Sequence, residues 1–277
     1  MKSKSQKYPV AAVPKVSARF INFFAAYSRW YLGGHFHSIR ILKSGLPPRD
    51  LSRPLVIYLN HASWWDPLVC LQLSKSYFRS RTAFAPIDAA ALRRYGFFNW
   101  LGFYPVEPRS TRGARSFLKT SRAILASEHN MIWLTPQGRF SDVRERPVRL
   151  QRGIGVLASQ IKEAVFVPLV IEYAFWTEPR PEVLLSFGEA TTPKDELTRS
   201  AREWTEFFGD SLGATQDKLA AGSCRRDPAE WIVLDRGASG VTAMYDAWRR
   251  LRSWITGVEY IREHQPENAQ WSFGPPQ

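Results

Sequence analysis

The sequence predicts an α/β fold in which a mainly parallel or mixed central sheet is flanked by helices. Three observations carry that expectation. Short, nearly continuous apolar runs recur along the chain, and longer segments with helical spacing of apolar residues lie between them. The 277 residues are 44% hydrophobic and 14% aromatic, enough for a sizeable core and incompatible with a disordered chain.

The first element is a helix. Residues 20–32 are apolar and aromatic except for Asn22, Ser28 and Arg29, and they end at Gly33-Gly34. The run is shorter than the ~20 residues a membrane-spanning helix needs, so an N-terminal amphipathic helix lying in the membrane interface is expected. The alternative is a helix packed on the domain's own core. Strands are expected at 55–59, 82–85, 103–106, 131–134, 165–171 and 183–187, where the apolar runs are of the kind that both-face burial gives. Helices are expected at 68–78, 112–127 and 154–162. Pro168 has no N–H to donate, which puts the fifth strand at a sheet edge or at a bulge. After about residue 190 the pattern turns helical, at 194–209 and 241–263. In the latter, Met244, Tyr245, Trp248, Leu251, Trp254 and Ile255 fall mostly on one face and read as a packing surface. The proline-rich end reads as a frayed tail. The chain thus divides into a basic aromatic membrane-associating segment (1–49), an α/β domain (50–190) and a helical C-terminal extension (191–277).

The net charge is +13, and its placement matters more than its size. Residues 1–106 hold 15 basic and 3 acidic residues, and the remaining 171 hold 23 and 22. Lys2, Lys4, Lys7, Lys15, Arg19, Arg29, Arg40, Lys43 and Arg49 all precede the first acid, Asp50. Cations interleaved with aromatics suit an anionic membrane surface, where each Lys or Arg contributes about 1 kcal/mol. Bases could also stack on such rings, but no zinc-finger, basic-zipper or RNP pattern is present, and no nucleic acid is expected. Pro9 and Pro14 bracket too few apolar residues for a secretory signal. Two cysteines, Cys70 and Cys224, exclude a disulfide framework and fit a reducing compartment. The expected location is peripheral, on the cytoplasmic face of a membrane.

The chemistry concentrates in Leu59-Asn60-His61-Ala62-Ser63-Trp64-Trp65-Asp66-Pro67, which follows a buried strand and precedes a helix. Open α/β sheets place their sites at such strand ends. His61 can accept a proton near neutral pH. Asp66 is five residues on and cannot face it from a regular helix, so the chain between them must loop back; the carboxylate could then orient the imidazole. Asp-Pro is also the signature of a helix N-cap, which would account for both residues structurally. A metal site from His35, His37 and His61 lacks carboxylate or thiolate partners, so no metal or other cofactor is expected.

Asn-His-x4-Asp after an apolar strand resembles the first motif of the glycerolipid acyltransferase family, typified by 1-acylglycerol-3-phosphate acyltransferase. Three more stretches follow in the family's order. Gly102-Phe103-Tyr104-Pro105-Val106-Glu107-Pro108-Arg109 resembles the second motif, Thr135-Pro136-Gln137-Gly138-Arg139-Phe140-Ser141 the third (FPEGTRS), and Val167-Pro168-Leu169-Val170 the fourth. Arg152-Gly153 matches the basic-Gly step between the last two. The resemblance covers about residues 50–190.

The resemblance implies acyl transfer from acyl-CoA or acyl-carrier protein to a hydroxyl of a lipid acceptor, without a covalent acyl-enzyme. His61 would be the general base and Asp66 its orienting partner. Arg109, Gln137, Gly138, Arg139 and Ser141 would contact the acceptor, with Asn60 and Arg152 as additional headgroup contacts. Backbone amides near Gly138 or a nearby side chain would receive the oxyanion. The third motif departs from the family: Gln137 replaces a Glu, and Arg139-Phe140 replaces Thr-Arg, so the guanidinium is displaced by one position. That departure makes a divergent acceptor, such as another lysolipid or a glycosylated isoprenoid, an alternative to 1-acylglycerol-3-phosphate. A second class of reading is a catalytically silent membrane-binding homologue, against which the intact His61 and Asp66 argue. The cations from Arg144 to Arg149 read as a solvated loop.

Overall fold

The computed structural model describes residues 13–48, 52–195 and 199–237. The 241–263 helix, the C-terminal tail and the cations Lys2, Lys4, Lys7 and Arg49 lie outside them. The elements are α1 (Ala18–His35), β1 (Ser38–Leu42), β2 (Leu55–Leu59), α2 (Asp66–Tyr77), β3 (Thr82–Asp88), α3 (Ala89–Arg94), a 3-10 segment (Gly96–Leu101), β4 (Phe103–Val106), α4 (Thr111–Ile124), β5 (Asn130–Leu134), α5 (Gly153–Gln160), β6 (Val165–Ala174), β7 (Glu182–Phe187), α6 (Ala201–Arg225) and β8 (Trp231–Arg236).

The strands form one mixed sheet in the order β4-β3-β5-β2-β6-β7-β1-β8. All pairs are parallel except β6 with β7 and β1 with β8. Both faces are covered, which is why β2 reads as an unbroken apolar run. Leu55, Ile57 and Leu59 pack with Leu32 of α1 and Leu68 and Leu73 of α2. Val56 and Tyr58 pack with Phe117 of α4, Leu157 of α5 and Phe208 and Leu212 of α6. Each such side chain contributes on the order of 2 kcal/mol by leaving water.

Several elements differ from expectation, each for a physical reason. Pro168 is not on an edge strand, because β6 lies between β2 and β7. It sits at an irregularity instead: the register with the following chain slips by one between the Phe166–Thr191 bridge and the Leu169–Phe187 pair. The missing N–H therefore breaks no regular ladder. The helix expected at 194–209 starts at Ala201, where Ser200 and Glu203 form a capping box, and continues to Arg225. Gly209 does not stop it; a Cβ there would lie 2.8 Å from the Val148 carbonyl oxygen, so the glycine serves close packing. With Trp204, Phe208, Leu212 and Leu219 in the main core and β8 in the sheet, residues 199–237 share one fold with the segment before them.

Strand β1 has no apolar signature because its polar residues enter a buried network. Glu182 Oε1 lies 2.6 Å from His37 Nδ1, and its Oε2 accepts from the Ser38 hydroxyl and, at 3.3 Å, from Arg40 Nε. Burial alone would raise the Glu182 carboxyl; bonds from His37 and Ser38 and the Arg40 charge reverse this and hold it below its ordinary value. Here His37 has a carboxylate partner that its sequence neighbourhood did not show.

Helix α1 is capped by Ser17 and runs on through Gly33 and Gly34. One face buries Ala25, Ser28 and Leu32, so the core-packing alternative holds for that face. The other carries Phe23, Tyr27 and Trp30, 68%, 42% and 72% exposed. Arg29 is bonded to Asp235 of β8 at 2.8 and 3.1 Å. Among the described residues no helix is long and apolar enough to cross a membrane.

Candidate active site at the end of strand β2

The chain leaves β2 at Asn60, which is fully buried and bonded twice to the Ile171 backbone, Nδ2 to O and Oδ1 from N, each at 2.9 Å. Asn60 therefore clamps β2 to β6 and offers nothing to a headgroup, contrary to the expected contact. The clamp fixes where His61 begins. Residues 61–65 form a non-helical loop that returns, and His61 Nδ1 lies 2.7 Å from Asp66 Oδ2.

Asp66 is the first residue of α2, and the helix has no side-chain cap. The N-cap alternative is thus replaced by a different role. Oδ2 also accepts from the Ser63 backbone N–H at 3.1 Å, and Oδ1 accepts from the Tyr173 hydroxyl at 2.7 Å. Three donors aimed at one carboxylate leave it a single orientation. Burial pushes the Tyr173 phenol well up, as do the charge of Asp66 and the bond to it, so the hydroxyl stays protonated and keeps donating.

The third motif holds the backbone of His61 on both sides. Its N–H donates to Gln137 Oε1 at 3.2 Å, and its carbonyl accepts from Ser141 N at 2.9 Å. This contact needs an acceptor oxygen and no charge, and Gln supplies one. Gln137 is buried, and Ser141 Oγ is buried without a hydrogen-bond partner. Gly138 makes the intervening turn at φ +69°, with its N–H on the Thr135 carbonyl. Phe140, 58% exposed, lies against the imidazole with ring centroids 4.2 Å apart.

The cations are more dispersed than the motifs suggest. Arg139 pairs with Glu145 and points along its own loop. Arg144 pairs with Asp142, whose carboxyl it holds below the usual range, and Arg146 pairs with Asp217 of α6; Val143, Val148 and Leu150 anchor the loop to the core. Arg152 is exposed at the start of α5 and seated beside the third motif by the Gln151 N–H on the Pro136 carbonyl, 2.7 Å. Arg109 is exposed, has φ +56° and follows β4, three strands from β2, about 14 Å across the sheet.

An apolar cavity of about 500 Å³ opens beside the pair. Phe24, Tyr27 and Tyr31 of α1, Leu68 and Leu71 of α2, Ala83 and Ala85 of β3, and Phe97, Phe98 and Leu101 of the 3-10 segment enclose it, with His61 and Asp66 at its wall. Trp64 and Trp100, 55% and 56% exposed, stand near α1 and the 3-10 segment, where Trp64 also lines the cavity. Cys70 lines it too, but burial foremost, and then Asp66, drives its pKa up, so it is a thiol and a poor nucleophile. The three histidines of the metal alternative have separate partners: His35 the Tyr31 carbonyl, His37 Glu182, His61 Asp66. Tyr173, Phe140 and the cavity walls are additions to the sequence reading. Tyr173 is 107 residues from Asp66 and resembles any core aromatic.

No curated protein matches the chain. Residues 39–172 match the family model described as Acyltransferase, and this segment, which contains His61, Asp66 and the turn from Gln137 to Ser141, belongs to that family.

Proposed function

We propose that this protein transfers an acyl chain from an acyl thioester to a hydroxyl of a membrane lipid acceptor, with His61 as general base. The observation that carries the reading is the His61 Nδ1 to Asp66 Oδ2 contact of 2.7 Å beside an apolar cavity of about 500 Å³. With Nδ1–H donating to the carboxylate, Nε2 is left with its lone pair for the acceptor hydroxyl. The resulting alkoxide attacks the thioester carbonyl. The tetrahedral intermediate expels the thiolate, which takes the proton from the imidazolium, and Asp66 stabilises that cation meanwhile. No enzyme nucleophile enters, consistent with the protonated Cys70.

The cavity has the size and apolar lining for an acyl chain. Exposed Phe23, Trp30, Trp64 and Trp100, with the exposed cations Lys15 and Arg19, support docking of this face on an anionic bilayer. The acceptor is then 1-acylglycerol-3-phosphate or another lysolipid. A second reading, a non-phosphorylated acceptor such as a glycosylated isoprenoid, is favoured by Phe140 lying against His61 while Arg139 is engaged by Glu145. Thiol release from acyl-CoA and from acyl-carrier protein, with each acceptor presented in anionic vesicles and products weighed by mass spectrometry, tests both. Product from the phosphorylated acceptor supports the first reading and product from the isoprenoid alone the second. Silence with every donor and acceptor returns the chain to a membrane-binding homologue.

Tyr173→Phe removes one donor from Asp66 and no bulk. A hydrogen bond to a charged group is worth about 1.5–3 kcal/mol, so kcat is expected to fall roughly tenfold with KM little changed. A change in KM alone would show that Tyr173 acts on binding and not on the pair.

A further inference from the structure

Helix α4 carries Arg112, Arg115, Lys119 and Arg122, all exposed, and contains no acidic residue. At about 100° per residue the four fall within an arc of about 80°, opposite the side that buries Gly113, Phe117, Ser121 and Ile124. Among the described residues none of the four has a carboxylate partner; Glu107, the nearest acid ahead of the helix in sequence, is bonded to the cap residue Ser110. The row runs unbroken for roughly 15 Å.

Among the described residues nothing accounts for this row. Successive members are three or four residues apart, where like charges repel. Arg112 also sits in the first turn, at the positive end of the helix dipole, where acids are favoured. The aromatic face of α1 does not explain it either. Helices α1 and α2 cover one side of the sheet and α4, α5 and α6 the other, so a bilayer on Phe23, Trp30 and Trp100 leaves the α4 row facing away.

We propose that the outer face of α4 docks an acidic carrier protein that presents the acyl thioester on a phosphopantetheine arm. This deepens the acyl-transfer reading and rests on it. A straight row of cations matches an acidic helix laid alongside, whereas the clustered phosphates of a nucleotide need a compact site. The helix's other exposed residues, Thr111 and Ala114, and the half-buried Ser116 offer no ring for a base to stack on, and Phe117 is buried, which argues against nucleic acid. Geometry also fits delivery. Helix α4 begins just after Arg109, at the sheet end where His61 lies, three strands or about 14 Å away. A phosphopantetheine arm is about as long as five extended residues, ~17 Å, a reach of the same order as that separation across the sheet.

The test uses the full chain, with purified acyl-carrier protein as its palmitoyl thioester and palmitoyl-CoA as the second donor. In Arg115→Glu/Lys119→Glu, the KM for the carrier thioester is expected to rise at least tenfold, with kcat and the palmitoyl-CoA parameters within twofold of wild type. Raising salt should weaken the wild type toward the variant. The neutral variant Arg112→Gln/Arg122→Gln should show the same donor selectivity if the reversed charges disturb folding. Anisotropy of labelled holo-carrier protein reads docking without turnover. If anisotropy shows row-dependent binding and neither donor turns over, the docking surface stands and the acyl-transfer reading falls. Equal loss with both donors, unchanged carrier binding, loss of vesicle binding in the α4 variants, or an oligonucleotide that binds the row more tightly than the carrier would each overturn the proposal.

Discussion

His61→Ala is expected to lower acyl-transfer turnover about a thousandfold, within the range that a positioned general base supplies, while the fold survives. The two outcomes separate because the residue's backbone and side chain have different partners. Its N–H and carbonyl are held by Gln137 and Ser141, and alanine keeps both bonds. Its imidazole meets Asp66 and Phe140. After truncation Asp66 still receives the Ser63 N–H and the Tyr173 hydroxyl, so no buried carboxylate is left without donors. Stopped assays with matched thermal melts check this. Wild-type turnover in the variant would end the general-base mechanism, and a collapsed melt would mean the loss says nothing about chemistry.

The largest effect on stability is expected from Glu182→Gln. Removing one partner of a buried ion pair costs about 3–5 kcal/mol, because the remaining charge keeps its desolvation penalty. Here the remaining charge is Arg40, with 5% of its side chain exposed beside a carboxylate exposed by 2%. For a chain of this size each kcal/mol moves the melting temperature by about 2–4 °C, so a fall of about 10 °C at neutral pH is expected. The pH dependence has a definite sign. The Glu182 carboxyl is held below its ordinary 4.5, so it binds its proton less readily when folded. Its stabilisation is complete above that ordinary value and is lost as pH falls through the folded-state value. Melts from neutral to acid pH should show a declining limb in the wild type that is shallower in the variant. A variant within about 1 kcal/mol of wild type at neutral pH would show that the cluster contributes no net stability.

How far the fold could be read from sequence depended on which side of each strand was apolar. β2 and the first part of β6 are buried on both faces by apolar residues, and their runs stand out. β1 is buried throughout, yet Ser38 and Arg40 disguise it, since their partner Glu182 lies over 140 residues away. β8 pairs at the sheet edge with only Trp231 buried, and α3 spans six residues, too few for a periodic signal. In the site, His61 and Asp66 were legible because a strand end and a short loop bring them together within one motif. Tyr173 and the cavity walls come from distant elements and have no local pattern. The third motif was legible as a motif but not in its details. Gln137 turned inward to the backbone of His61, and Arg139 turned aside to Glu145.

The sheet order separates the unit recognised by family from the unit able to fold. The match ends at residue 172, but β1, inside it from Ile39 on, reaches the other matched strands only through β7, which pairs with β6 on one side and β1 on the other. A fragment cut to the matched residues would leave β1 without its parallel neighbour and β6 with a bare apolar edge, a template for aggregation. Residues 173–187, which supply the Tyr173 hydroxyl and then β7, therefore both complete the support of the His61–Asp66 pair and close the sheet. A swap of active-site segments between relatives has to carry them along.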